Sequence, residues 1–473
     1  MNWLKKYFYL FPVLLYLPAL GNFFSGDDWF HLRITQIDSL QQFLNFFSFN
    51  QNAQSASFYR PLSTQVFFFI FQRLFGLTPW PYYFFGLILF AYILYLIKKL
   101  SEIYLPSTIY HLRSTTYHLP SIIYGLSVSN FTRVYFASAY QELFLVVFSL
   151  LTLTNFRSKP KLSLFFFLLA LLSKETAIVL PALIFLINYK DLKIKQHFLF
   201  FIFYFLLSLI YLYLRLFHFG LVVGDSYTWD FSLVKLTNTL MWYFLWSLGA
   251  PELLVDYVGS GLRLIPRFFT DYSVWWPFIV LSLLSLIATL SIVFLKNFKK
   301  LNSQFWVFIT FFVVSLLPVL FLPSHKFALE LGLPLVGFAI ATSLLLQKSN
   351  KFFYFVFLSF FVLYNLSMNY LTYTRHYTVS RGQISKKVYQ YFSHNYPSPS
   401  KQHYFEFIND ANDYGSIWGQ SKQISQSLSG SDFFKVFYRQ PEFVVYYQDM
   451  QGQRPKPPEF TEIKISTKQF LNQ

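Results

Sequence analysis

The sequence contains no cysteine, and only 12% of its 473 residues are charged. Without cysteine there is no disulfide framework, no thiolate metal site and no cysteine nucleophile. Soluble domains carry about 25% charged residues, so the low charge excludes an ordinary soluble enzyme and a disordered chain. The sequence also lacks the glycine-rich phosphate loop of ATPases, a paired-histidine zinc helix and a Gly-x-Ser-x-Gly turn. These absences exclude several common enzyme classes.

Apolar and aromatic residues are abundant instead. They make up 55% and 23% of the chain, with 63 phenylalanines and 35 tyrosines. A soluble core could not bury this much apolar surface, so the composition indicates a polytopic membrane protein. The net charge of +17 comes from lysines and arginines in short loops between apolar runs. There they indicate membrane orientation and contact with lipid head groups rather than nucleic-acid binding.

The apolar runs predict about eleven transmembrane helices, since a helix needs about 20 apolar residues to cross a bilayer. The predicted spans are 4–24, 80–97, 118–136, 140–156, 162–173, 176–189, 197–216, 273–295, 304–323, 327–346 and 352–372. Two stretches interrupted by polar residues, 61–76 and 237–254, are predicted to be interfacial or re-entrant helices. The first span resembles a signal peptide, but we favour an uncleaved span because the polar loop after it carries candidate functional residues.

Lysine and arginine are more frequent in one set of loops, which predicts that these loops are cytoplasmic. The orientation requires that 237–254 does not cross the membrane, because a crossing there would invert the later loops. The cytoplasmic set is Lys5, Lys6, Lys98, Lys99, Arg113, Arg157, Lys159, Lys161, Lys190, Lys193, Lys195, Lys296, Lys299, Lys300, Lys348 and Lys351.

Residues 376–473 are more polar than residues 1–375. They contain an amphipathic stretch at 383–392 and short β-like runs at 403–407 and 443–447. We therefore predict an all-α membrane domain over 1–375 and a small α/β extramembrane domain over 376–473. The topology places the second domain on the outer side of the plasma membrane.

Charged side chains at a membrane boundary are costly, which makes each one a functional candidate. Asp27 and Asp28 follow the first span, and two adjacent carboxylates suit a general base because each raises the pKa of the other. The alternative is that Asp27 caps a surface helix. Tyr59 and Arg60 precede Pro61, where an arginine can bind a phosphate, or the pair can anchor the chain among lipid head groups.

Three further groups fall on the same predicted side. Glu142 can face an outer vestibule, or it can pair with Arg133. Lys174 and Glu175 separate two short helices, and they can stabilise a departing phosphate or neutralise each other. His325 and Lys326 lie between two later spans and suit the same role, although Lys326 can simply extend to the membrane surface.

Together and in this order, these segments resemble the GT-C membrane glycosyltransferases. The resemblance is carried by the acidic doublet after the first span, by Tyr-Arg-Pro-Leu at 59–62 and by Ser-Lys-Glu-Thr at 173–176. The segment 324–338 is similar to a Tyr-Leu-Pro-Ser-x-Gly-Phe run of the group that uses polyprenyl-phosphate sugars and includes protein O-mannosyltransferases. This chain has His325 and Lys326 where the family has arginine and tyrosine. The resemblance covers about residues 1–375.

The resemblance implies a GT-C-like fold and transfer of a hexose or pentose from a polyprenyl phosphate to an acceptor hydroxyl. By position, Asp27 with Asp28 would be the catalytic base. Arg60, Lys174, His325 and Lys326 would bind the donor phosphate. Glu142, Glu175 and Tyr59 would line the acceptor side or vestibule. Some relatives use a divalent cation, but no ligand set stands out here, so we predict no metal and no cofactor.

Two alternative functions stay open on the sequence. A transporter or flippase of lipid-linked glycans would place charges near the bilayer midplane, often in two related halves. The charges of this chain fall at the predicted outer ends of spans, although Lys174 and Glu175 between short helices suit transport. A glycan ligase or polymerase would share the membrane site. The predicted partners are a lipid-phosphate sugar, an acceptor and membrane lipids, with no nucleic acid.

Overall fold

A computed structural model describes residues 7–49, 59–105, 115–189, 191–220, 224, 227–259, 263–398, 403–410, 419–453, 455–457 and 459–471. Four of the predicted cytoplasmic cations, Lys5, Lys6, Arg113 and Lys190, lie outside these residues. Within them the chain is mainly helical, and its extended segments form one small sheet near the C-terminus.

The α-helices are α1 Asp27–Ile34, α2 Leu40–Leu44, α3 Phe67–Phe75, α4 Trp80–Tyr104, α5 Thr115–Leu126, α6 Phe131–Tyr135, α7 Tyr140–Asn155, α8 Pro160–Leu171, α9 Leu180–Asn188, α10 Lys195–Tyr213, α11 Leu233–Leu248, α12 Pro266–Asp271, α13 Trp276–Asn297, α14 Ser303–Leu320, α15 Pro334–Gln347, α16 Lys351–Arg375, α17 Tyr377–Asn395, α18 Gln420–Leu428 and α19 Asp432–Tyr438. The strands are β1 His403–Ile408, β2 Val445–Tyr447 and β3 Thr461–Ser466. Short 3-10 or π segments occupy Phe8–Gly21, Asn45–Phe47, Pro61–Val66, Val128–Asn130, Ala137–Ala139, Glu175–Val179, Asp191–Lys193, Leu214–Phe219, Glu252–Tyr257, Phe298–Lys300, Ala328–Leu331 and Thr467–Gln469.

Several of these helices have the length and composition to cross a membrane. Among the described residues there are six, Trp80–Tyr104, Ala137–Asn155, Lys195–Phe219, Trp276–Lys300, Ser303–Leu320 and Lys351–Asn395. Four shorter apolar helices, Phe8–Gly21, Pro160–Leu171, Glu175–Asn188 and Pro334–Gln347, coincide with further predicted spans. The chain is thus a multi-pass membrane protein. The stretches 61–76 and 237–254, predicted not to cross, fall outside both groups in the described part of the chain.

The predicted span 118–136 is wrong as a single helix, because a turn separates α5 from α6. At this turn the Asn130 side chain donates to the carbonyl of Tyr124 over 2.6 Å. The buried Arg133 donates to the carbonyls of Ala328 and Leu329 over 3.1 and 2.8 Å. These polar side chains break the helix and attach it to the segment that precedes α15.

Packing between pairs of helices, both adjacent and distant in sequence, builds the membrane part. Helix α4 packs against Phe8–Gly21 and α7, α7 against α8, α14 against α15, and α13 against α16. The faces that lie outside these contacts carry exposed phenylalanine, leucine and isoleucine, which suits contact with lipid. Helix α10 contributes little to the interior, since only 11% of its apolar stretch is buried.

The C-terminal part is an α/β unit, as predicted. Its parallel sheet has the order β2-β1-β3, with Phe405 opposite Val445 on one side and opposite Ile463 on the other. Strands β1 and β2 fall on the two predicted runs, and β3 is an additional strand. The amphipathic stretch 383–392 lies within α17.

The α/β unit is docked on α1 rather than separated from the membrane part. Helix α19 packs along α1, where Phe433 meets the ring of Trp29 edge-on at 4.8 Å and Asp432 pairs with Arg33 at 2.7 Å. The backbone N–H of Gly26 donates to the carbonyl of Ser427 over 2.8 Å. The α/β unit therefore reaches the acidic doublet at the start of α1.

Candidate active site

Asp28 holds the start of α1 in place. Gly26 precedes the helix with φ of 50°, a conformation that glycine adopts without strain. One carboxylate oxygen of Asp28 accepts the backbone N–H of Ser25 at 3.0 Å. The other accepts the backbone N–H and the hydroxyl of Ser138 at 2.7 and 2.6 Å. Asp28 is fully buried, so its carboxylate ties the helix to the turn before α7.

Asp27 has different surroundings from Asp28. Its side chain is exposed to a cavity of about 580 Å³ and accepts no hydrogen bond from any residue that the structure describes. The cavity has walls from both parts of the chain. They are formed by Gly26, Asp27, Phe136, Phe327, Tyr377, Arg381, Ser425, Gln426, Ser429 and Gly430. Among the described residues, Asp27 is thus a carboxylate that accepts no hydrogen bond, and it faces a cavity with both polar and aromatic walls, here called the Asp27 cavity.

The pKa values of both aspartates are raised. Burial raises the pKa of Asp28 to about 7, although its three donors oppose the rise by stabilising the carboxylate. The protein around Asp27 raises its pKa by limiting hydration, and the nearby Asp432 adds to the rise. The charge of Arg381 lowers the pKa of Asp27 in opposition. A carboxylate with a raised pKa and an open position suits a general base.

A second group of charges surrounds the break between α8 and α9. Pro61 starts the segment after Arg60, and the Ser63 hydroxyl donates to the Ser173 carbonyl over 2.6 Å, which brings Arg60 to this break. Arg60 pairs with Glu175, its Nε lying 2.7 Å from the carboxylate, and it also donates to Gln141. One interpretation of the sequence was that Lys174 and Glu175 neutralise each other. This interpretation is wrong, because Glu175 pairs with Arg60.

Lys174 pairs instead with two other carboxylates. Its ammonium group donates to Glu142 and, over 2.8 Å, to Glu330. All three side chains are buried. The alternative pairing of Glu142 with Arg133 is likewise wrong, because Arg133 donates to backbone carbonyls. Glu330 was not among the predicted site residues. It could have been identified from the sequence, because it is an acidic residue within an apolar segment and such residues are functional candidates.

Arg60, Lys174, Glu175 and His325 line a second cavity, here called the Arg60 cavity, of about 440 Å³. The remaining walls include Arg215 and Glu330, together with apolar and aromatic side chains. These are Ile178, Val179, Tyr211, Leu212, Tyr227, Trp229, Leu317, Pro318, Val319 and Leu322. Burial lowers the pKa of His325, so its imidazole is neutral near pH 7. The cavity is amphipathic, with charge gathered on one part of an otherwise apolar wall.

The segment 325–330 separates the two cavities. His325 and Glu330 face the Arg60 cavity, whereas Phe327 faces the Asp27 cavity. His31, one helical turn after Asp27, is influenced by the charge of Arg60. Burial, together with the positive charge of Arg60, lowers the pKa of His31 to about 3, so His31 is neutral near pH 7. The two cavities are thus neighbours on one side of the molecule.

Four of the predicted site residues, Asp28, Glu142, Tyr59 and Lys326, line neither cavity. Glu142 lies behind Lys174 and holds it. The Tyr59 hydroxyl donates to the carbonyl of Phe47 over 3.0 Å, and its ring stacks on Phe219. Lys326 donates to the side chain of Asn238 over 2.9 Å. In contrast, Arg381 and Gln426 line the Asp27 cavity although sequence reasoning did not select them.

In the described part of the chain, no group of three or more histidine, aspartate or glutamate side chains is arranged to hold a metal ion. The absence of a metal cofactor stays a prediction. Comparison with known proteins finds no matching family model, no matching curated protein and no matching solved structure.

Proposed function

We propose that this chain is a membrane glycosyltransferase of the GT-C type, which moves a sugar from a polyprenyl phosphate to an acceptor hydroxyl. The observation that carries the proposal is the Asp27 carboxylate, which is exposed to the Asp27 cavity and accepts no hydrogen bond from the described residues. An amphipathic cavity with Arg60 and Arg215 lies beside it. The lysine and arginine bias of the loops supports placing both cavities on the outer face of the cell membrane.

In the proposed reaction Asp27 acts as the base. It takes the proton of the acceptor hydroxyl while that oxygen forms a bond to the anomeric carbon of the donor sugar. The bond from this carbon to the phosphate oxygen breaks, and the phosphate leaves with the electron pair on the lipid carrier. Asp28 has no surface on either cavity, so in this proposal it is a positioning residue that fixes the start of α1.

The donor phosphate would bind at the charged part of the Arg60 cavity. Lys174 is already held by Glu142 and Glu330. Moving it would leave these buried carboxylates without a counter-charge, a change that costs about 3–5 kcal/mol. We assign the phosphate to Arg215 and Arg60, which line the cavity and whose guanidinium groups suit phosphate oxygens, with Arg60 binding the phosphate while it stays paired with Glu175. Lys174 keeps an electrostatic role, and Lys326 has none because it faces Asn238.

The shape of the Arg60 cavity suits a lipid phosphate more than a free sugar nucleotide. Its apolar walls come from the 3-10 segment Glu175–Val179, from α10 and from α14, the last two being candidate membrane helices. An isoprenoid chain would contact Ile178, Leu212 and Leu317 while its phosphate reaches the arginines. On the other side, the acceptor would enter the Asp27 cavity and meet Gln426 and Ser429 of the α/β unit.

The decisive experiment uses purified protein with a panel of polyprenyl-phosphate hexoses and pentoses. Release of polyprenyl phosphate reports turnover whatever the acceptor is. Asp27→Asn should reduce release by about 10²–10⁴-fold, because it removes the general base. The matched control is Asp38→Asn, which changes an exposed carboxylate of the same loop and should retain activity. Near-normal release by Asp27→Asn would contradict the proposal.

One observation favours a second candidate, a transporter of lipid-linked glycans. Lys174, Glu142 and Glu330 form a buried ionic network between apolar helices, as transporters often have. A transporter would move a fluorescent lipid-linked sugar across proteoliposomes without releasing polyprenyl phosphate. In that case Asp27→Asn would have little effect on the movement.

A further inference from the structure

A third cavity lies at the end of the helix bundle opposite the two cavities described above. Its volume is about 410 Å³. Its walls are the turn from α13 to α14 and the turn from α15 to α16, formed by Val293, Lys296, Asn297, Lys300, Lys348, Ser349, Asn350 and Phe353. His325 and Glu330 lie in the connection between the other ends of α14 and α15. The third cavity therefore faces the opposite side of the membrane, which the sequence predicts to be cytoplasmic.

All the charged side chains that line this cavity are positive. Lys296, Lys300 and Lys348 come from three different elements and converge on it, and no acidic side chain lines it. None of the three lysines forms an ion pair with any residue that the structure describes. The Lys296 ammonium lies 5.0 Å from the centre of the Phe353 ring, a contact that orients it without neutralising it. The cavity thus offers three cations and the polar side chains of Asn297 and Asn350 to an anion.

Three exposed apolar side chains, Leu295, Phe298 and Phe352, adjoin the cavity-lining residues in the sequence and are here called the apolar rim. Phe298 and Leu295, beside the two lysines of the first turn, are 52% and 74% exposed. Phe352 is 68% exposed at the start of α16. Large apolar side chains this exposed at the ends of membrane helices suit contact with acyl chains. Cationic walls inside an apolar rim match a molecule that has an anionic head and a hydrocarbon tail.

We infer that this cavity binds the phosphate-bearing head group of an anionic phospholipid on the side opposite the Asp27 cavity. The lysines would contact the phosphate oxygens, and the acyl chains would lie along the apolar rim. A free phosphate ion would use the lysines but would gain nothing from Leu295, Phe298 and Phe352. The inference depends on neither the sugar-transfer proposal nor the identity of its donor.

Native mass spectrometry of the purified full chain in detergent tests the inference. Phosphatidylglycerol and phosphatidylcholine with the same acyl chains are titrated, and inorganic phosphate is added as a competitor. The wild type should bind its first phosphatidylglycerol more tightly than phosphatidylcholine. In Lys296→Gln/Lys300→Gln/Lys348→Gln that affinity should fall at least tenfold, since each lysine near a membrane surface contributes about fivefold.

Two variants make the result specific. Lys159→Gln/Lys161→Gln/Lys193→Gln removes the same charge from exposed positions on the same predicted side and should keep wild-type affinity. Lys296→Arg/Lys300→Arg/Lys348→Arg keeps the charge and should keep binding, which separates loss of charge from misfolding. Equal losses in the two glutamine variants would overturn the inference. Displacement of the lipid by millimolar inorganic phosphate would overturn the lipid assignment in favour of a soluble phosphate.

Discussion

At the scale of single residues, the two adjacent aspartates have different roles, Asp28 in structure and Asp27 in the proposed chemistry. Both carboxylate oxygens of Asp28 accept hydrogen bonds, one from the backbone of Ser25 and the other from the backbone and hydroxyl of Ser138. In contrast, Asp27 faces the Asp27 cavity. Asp28→Ala leaves these donors buried and without an acceptor, at a cost of about 1–3 kcal/mol for each group. We expect a lower thermal denaturation midpoint in detergent for Asp28→Ala and a nearly unchanged one for Asp27→Ala. Equal midpoints would contradict the structural role of Asp28.

The ionisation of Asp27 should depend on Arg381. The raised pKa of Asp27 means that a base at this position loses activity as the pH falls through that pKa. Arg381→Gln removes a positive charge that lowers the pKa, so the acidic limb of the pH profile of kcat/KM should move to higher pH. Lys386→Gln, an exposed position on the same helix, serves as the control and should leave the limb in place. If the acidic limb of the kcat/KM profile did not move in Arg381→Gln, Asp27 would not be the titrating base.

The sequence could predict only those features of the site that depend on residues close together in the chain. The acidic doublet, Arg60 and the Lys174–Glu175 break were identifiable because charges are rare in this chain. The difference between Asp27 and Asp28 was not, because it depends on Ser138, which lies 110 residues away in the sequence. For the same reason the partners of Lys174 could not be predicted, since Glu330 is 156 residues away.

At the scale of elements, the docking of α19 on α1 joins the α/β unit to the site. The Arg33–Asp432 pair is partly exposed and contributes little, as surface pairs do. The Phe433 ring is fully buried against Trp29, so Phe433→Ala should destabilise the contact by about 3–5 kcal/mol. Limited proteolysis should then release the C-terminal fragment faster than in the wild type.

The matched control for this contact is Phe460→Ala, because Phe460 is 36% exposed and lies outside α19, directly before β3. It should be digested at the wild-type rate. If Phe433→Ala were equally resistant, the α/β unit would be held by other contacts. Loss of the docking should also lower sugar transfer, since Gln426 and Ser429 would leave the Asp27 cavity.

Helix positions followed closely from apolar runs, and the exceptions have local causes. The span 80–97 corresponds to α4, which continues to Tyr104 because its amphipathic end packs on neighbours. The span 118–136 was predicted whole since its mean composition is apolar, but Asn130 and Arg133 make tertiary hydrogen bonds that divide it. Strand β3 was not predicted because Glu462 and Lys464 make it as polar as a loop.

At the scale of the whole molecule, one buried ionic network joins segments that are distant in sequence. Lys174 lies between α8 and α9, Glu142 on α7 and Glu330 before α15. The pairing of one cation with two carboxylates fixes the relative positions of these three segments. Lys174 and Glu330 also line the Arg60 cavity, so the network fixes the position of two of its wall residues.

Removing the central cation should therefore disturb the whole fold. Lys174→Met leaves two buried carboxylates without their counter-charge and should destabilise the protein by about 3–5 kcal/mol. Lys174→Met/Glu142→Gln/Glu330→Gln removes the charges together and should recover much of that loss. Lys98→Met breaks a partly exposed pair with Glu102 on α4 and should cost less than about 1 kcal/mol. Thermal denaturation in detergent ranks the three variants, and a triple variant as unstable as Lys174→Met would show that packing, rather than charge, holds these segments together.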